Sequence, residues 1–203
     1  DLAGNADFCS TTFTVQDNAG SCSTTTVNVS GALKTESLDG VEEATVEIAG
    51  TVDQGTPFVF GDVTDDQGLY AVNGSVPLAA DFTITPVKDD NPLNGITTYD
   101  LVLISKHILG IEPLGSPYKM IAADANKSNS ITTFDIVELR KLILGIYNEL
   151  PDNTSWRFVE KAYDFPNQQN PFMEPFPENI SIAQAITNQL DQDFVGVKIG
   201  DVN

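Results

Sequence analysis

Oxygen-bearing side chains recur at a spacing that suits a hard cation in Asp124-Ala125-Asn126-Lys127-Ser128-Asn129-Ser130-Ile131-Thr132-Thr133-Phe134-Asp135. They fall at loop positions 1, 3, 5, 9 and 12, and a calcium ion takes six to eight oxygens at about 2.3–2.6 Å. Asp124, Asn126 and Ser128 would bind through side chains and Ser130 through its carbonyl. Thr132 would hold a bridging water, and Asp135 would bind from the first turn of a following helix. Position 6 needs a left-handed backbone, and Asn129 is the residue that tolerates it best after glycine.

A second such stretch lies upstream. Asp89-Asp90-Asn91-Pro92-Leu93-Asn94-Gly95-Ile96-Thr97-Thr98-Tyr99-Asp100 keeps an oxygen donor at positions 1, 3, 9 and 12, which are Asp89, Asn91, Thr97 and Asp100. Leu93 at position 5 removes a side-chain donor, and Gly95 at position 7 offers its carbonyl. Two bound Ca²⁺ ions are therefore expected, held more tightly at the Asp124 loop. The rival reading is a pair of Asx-rich helix caps without metal, but two loops at one phase of an internal repeat argue against it.

That repeat is explicit. Residues 96–111 and 131–146 align at an offset of 35, with ten of sixteen positions identical. Each copy has a Thr N-cap candidate (Thr98, Thr133), an Asp in the first turn, apolar residues at helical spacing and a closing glycine (Gly110, Gly145). The spacing predicts two equivalent amphipathic helices, each preceded by a polar loop.

Elsewhere the period is that of strands. Ala44–Ile48, Pro57–Phe60, Leu69–Val72 and Asp81–Val87 are short apolar-alternating runs separated by turn residues, as in a small sandwich. Residues 1–30 alternate around Gln16-Asp17-Asn18-Ala19-Gly20 and read as one β-hairpin, the end of an upstream domain or a strand donated to a neighbouring subunit. After residue 147 strand-like runs return at Trp156–Val159, Ile180–Ile186 and Phe194–Ile199. The expected fold is α+β and multi-domain. Its segments are a hairpin (1–30), a β-sandwich (31–88), a calcium-binding loop–helix pair (89–146) and a β-rich C-terminal tail (147–203).

Composition narrows the function classes. The formal charge is −19, from 29 acidic and 10 basic residues, which repels nucleic acid and anionic membranes. No apolar run approaches the roughly 18 residues of a membrane helix. Cys9 and Cys22 lack partners for a zinc site, the sole His being His107. As a disulfide they would close a loop worth roughly 3 kcal/mol and imply an extracytoplasmic home; free thiols are the alternative. No acid–base pair or phosphate loop is recognisable, so no enzymatic activity is expected.

Loop-plus-helix duplicates of this length, with Asp100 and Asp135 at position 12, resemble type I dockerin repeats over residues 89–146. The resemblance implies calcium-dependent folding and docking of a cohesin-like domain through Thr98-Tyr99 and Thr133-Phe134. The stretch containing Gly40-Val41, Val46–Gly50, Gly68-Leu69-Tyr70 and Phe82–Pro86 is similar to the carboxypeptidase-regulatory-like (transthyretin-like) β-domains. Both, together with Asn153–Val159 and Asp193–Asn203, resemble the C-terminal regions of large surface proteins of type IX-secreting bacteria. That likeness implies a secreted, cell-surface protein, and the expectation is a structural or adhesive module that forms a homopolymer or binds other surface proteins. The alternatives are a cohesin-binding anchor and a carbohydrate-binding accessory domain.

Overall fold

A computed structural model of the chain describes residues 26–52 and 55–203. Among the described residues eight strands form two four-stranded sheets. The strands are β1 (Thr26–Lys34), β2 (Thr45–Val52), β3 (Thr56–Val63), β4 (Leu69–Pro77), β5 (Asp81–Val87), β6 (Trp156–Glu160), β7 (Ile180–Ile182) and β8 (Phe194–Lys198). One sheet has the order β4-β1-β8-β6 and the other β3-β2-β5-β7. Three helices, α1 (Thr98–Ile108), α2 (Pro117–Ala123) and α3 (Thr133–Ile143), lie between β5 and β6 in the chain.

Period-2 alternation makes the sandwich. Val27, Val29 and Leu33 of β1, Val46 and Ile48 of β2, and Phe82 and Ile84 of β5 all turn inward and are buried. Phe158, Ile180 and Phe194 join this core from β6, β7 and β8. The opposite faces of β6 and β8 carry Val159 and Val197, which pack in a second core with Ile104, Ile121, Leu139 and Leu142 of the helices. Two strands thus belong to both cores, one face to each.

This arrangement corrects the expectation of an α+β, multi-domain chain. The structure is mostly β, with three short helices among the described residues, and the β-rich segment after residue 147 supplies strands to both sheets. Its β6 and β8 sit in the same sheet as β1, and β7 pairs antiparallel with β5. Residues 26–30, the end of the expected hairpin, belong to a longer strand. β1 runs past residue 30, pairs antiparallel with β4 through Thr26–Ala32 and lies parallel to β8 at Leu33 and Lys34. Alternation announces a strand but says nothing of its neighbour, and here the neighbours come from far along the chain. The rest of the expected hairpin, with Cys9 and Cys22, lies outside the described residues.

Candidate metal centre

The helices begin where their chemistry requires. Thr97 and Thr132, each one residue before the expected cap, accept from the amides of Tyr99 and Phe134 (both 3.2 Å). Asp100 and Asp135 reach back to the amides of Thr97 and Thr132 (both 2.8 Å), which completes a capping box in each copy. Both helices end at a glycine of positive φ, Gly110 (68°) and Gly145 (69°). α2 was not foreseen. Its signal was Ser116-Pro117, an N-cap with proline at the first helical position.

At the second loop the structure brings the expected residues together. Asp124 ends α2 and is fully buried; its Oδ1 accepts from the Ser128 amide (2.9 Å) and its Oδ2 from the Asn129 amide (2.8 Å). Asn126 accepts from Ser128 N (3.1 Å) and donates its own amide to Asp135 Oδ1 (3.2 Å). The Ser128 hydroxyl donates to the Ser130 carbonyl (3.2 Å), while the Thr132 hydroxyl is engaged in the cap. Asn129 has φ 59°, the left-handed backbone the loop demands. Burial raises the Asp124 carboxyl above its ordinary value, against the two amides, and Asp135 adds to the rise.

The first loop is put together differently. Gly95, Thr97 and Asp100 lie at the start of α1 as expected. Asp89 and Asn91 make no hydrogen bond to them. Asp89 Oδ1 accepts from the Ser155 amide at the start of β6 (2.7 Å), and Asn91 donates to Asp90 (3.0 Å), which is paired with Lys88. In their place comes the segment after β8: Asp100 Oδ1 accepts from Val202 N (2.9 Å) and from Asn203 Nδ2 (3.2 Å). The Asp201 carboxylate fills the space that a Cβ on Gly95 would take, and Gly95 has φ 80°. Burial raises the Asp201 carboxyl, and Asp100 raises it further. Sequence reasoning missed Asp201 and Asn203. Their signal is the Asp-x-Asn spacing shared with Asp124 and Asn126, but Asp89-Asp90-Asn91 has the same spacing and stands closer to the helix.

Asp100, Asp124 and Asp135 are each 0 % exposed, and no ion pair among the described residues reaches them. Buried carboxylates are ordinarily paired or bound to a metal. The surrounding donors are amide, hydroxyl and carbonyl oxygens, the set a hard cation takes. Among the described residues no three His, Cys, Asp or Glu side chains gather as a metal-holding group; each loop draws instead on two carboxylates and neutral oxygens. Lys198 lies beside the first loop and donates to the carbonyls of Pro92 (2.9 Å) and Ser155 (3.3 Å). Burial lowers its amine to about 8, in spite of the nearby Asp201, Asp90 and Asp89.

Compared with known proteins, the chain matches no family model, no curated protein and no solved structure. No helix among the described residues is long and apolar enough to cross a membrane.

Proposed function

We propose that the chain is a calcium-binding structural or adhesive module of an extracellular surface protein, with no catalytic role of its own. The observation that carries this reading is the pair of buried carboxylates, Asp100 and Asp135, at one phase of an internal repeat and in no ion pair among the described residues. Ca²⁺ would supply that balance and would tie loop to helix; Asp124, Asn126, Ser128, the Ser130 carbonyl and Asp135 would hold one ion. The strong acidity and the resemblance to surface-protein C-termini support an extracellular setting. Calorimetric titration of chelator-stripped protein is expected to give two ions per chain, and an absence of binding at either loop overturns the reading.

One observation favours the anchoring alternative as a task for the same module. Tyr99 and Phe134, the positions that the dockerin resemblance assigns to partner recognition, are 57 % and 71 % exposed and take no part in the core. A pull-down against cohesin-like domains, with Tyr99→Ser/Phe134→Ser as control, tests it; equal capture by both proteins rules the anchoring task out.

A further inference from the structure

The first loop poses a problem that its own twelve residues do not solve. Leu93 stands where a side-chain donor belongs. Asp89 accepts from Ser155 and Asn91 donates to Asp90, and no hydrogen bond links either to the closing half, Gly95, Thr97 and Asp100, in the way Asn126 is linked to Asp135. Asp100, the position-12 carboxylate, accepts instead from a segment about a hundred residues away in sequence. Resting on the calcium reading above, we propose that the first cation site is discontinuous: Asp201 and Asn203 supply its opening half, Gly95 and Asp100 its closing half, and Asp89 and Asn91 are not ligands.

The two halves of the molecule can be laid over one another. In the second loop Asp124-Ala125-Asn126 faces the stretch Ser130-Ile131-Thr132-Thr133-Phe134-Asp135. In the first, Asp201-Val202-Asn203 faces Gly95-Ile96-Thr97-Thr98-Tyr99-Asp100. Asp135 Oδ1 accepts from the amide of Asn126, and Asp100 Oδ1 accepts from the amide of Val202 and the side chain of Asn203. The two Asp-x-Asn segments are also neighbours, joined by Gly200 N to the Ala122 carbonyl (2.8 Å). This gives them the paired placement that two loops of one repeat would have.

Gly95 has its own part in this. It stands where Ser130 stands in the second loop, the position that offers a backbone carbonyl. The carboxylate of Asp201 lies where its side chain would be. A residue with a Cβ there would drive Asp201 away, in addition to straining the positive φ. Asp201 and Asn203 also border a cavity of about 260 Å³, whose wall includes Glu36, Asp39, Lys119 and Lys198. Asp89 meanwhile has a structural duty: it fastens the loop to Ser155, the residue before β6.

Calcium titration of the chelator-stripped full chain, by calorimetry, separates the assignments. If the unsubstituted chain takes up no calcium, the functional reading itself has failed. If it takes up two ions, Asp201→Asn should bind one only, with the Asp124 loop unaltered, while Asp89→Asn should still bind two. Asn203→Ala, a milder change for use should Asp201→Asn fold poorly, should weaken one site by about tenfold or more and leave the other alone. Two ions of unchanged affinity in Asp201→Asn or Asn203→Ala overturn the proposal. So does the loss of an ion in Asp89→Asn, whatever the other variants do.

Discussion

Asp135 joins three roles in one side chain. One oxygen closes the capping box with Thr132, the other accepts from Asn126, and the whole group is buried beside Asp124. Asp135→Ala leaves the amides of Thr132 and Asn126 without their acceptor, which costs about 1–2 kcal/mol in the metal-free protein. It should also abolish calcium binding at that loop. Denaturant melts with and without a chelator check both: the variant is expected to be less stable in chelator and to gain less from calcium than the unsubstituted chain. Asp135→Asn keeps an oxygen for the cap and should recover part of the first loss but not the bound ion. This residue was legible from spacing alone, because a capping box and a position-12 ligand are both local patterns. The Thr-Thr doublets were less clear. Thr98 and Thr133 look as good as caps until the carboxylate three residues beyond Thr97 and Thr132 is taken as the partner.

At the scale of elements, the strands were visible and their partners were not. Trp156–Val159 and Phe194–Ile199 show alternation, yet which face belongs to which core depends on neighbours contributed from both ends of the chain. In β6 the adjacent residues Phe158 and Val159 enter different cores. Lys198, the last residue of β8, illustrates what that burial does. The residue is 8 % exposed and its amine donates to two carbonyls, but burial wins and lowers it to about 8. Between pH 8 and the ordinary lysine value the unfolded chain carries this proton and the folded chain does not. The unfolded state therefore binds more protons, and stability rises with pH across that window, by at most about 3 kcal/mol. Below pH 8 both states are protonated and the fold bears the whole cost of the buried charge. Burial raises the Tyr70 phenol, which acts in the opposite sense at higher pH. The comparison thus belongs between pH 8 and about pH 9.5. Urea melts of the chelator-treated protein are expected to show a rising stability there that Lys198→Met lacks; parallel profiles would remove Lys198 as its source.

The whole molecule changes what calcium removal should do. A chain of separate units would lose its loops and helices in chelator and keep its β-sandwich, since each unit would melt on its own core. Here β6 and β8 place one face in the sandwich with Phe158 and Phe194 and the other against the helices with Val159 and Val197. The first loop is fastened to both strands, through Asp89 to Ser155 before Trp156 and through Asp100 to Val202 beyond Lys198. Losing the helical layer would expose Ile199 and Val202, now 0 % and 1 % exposed, and free the strand that lies parallel to β1. The two cores should therefore unfold together. An ion that binds only the folded state stabilises it by RT ln(1 + [L]/Kd), about 4 kcal/mol at a thousandfold excess. That increment should appear in the sandwich as well as in the helices. Trp156 lies on β6 and packs against the sandwich core, so its fluorescence reports the sheet while far-ultraviolet circular dichroism at 222 nm reports the helices. Heating in excess calcium and again in chelator is expected to give coincident transitions by the two probes, both moved to lower temperature by chelation. A helical signal lost in chelator while the Trp156 transition stays where it was would show that the cores melt separately, and the coupling through β6 and β8 would be wrong.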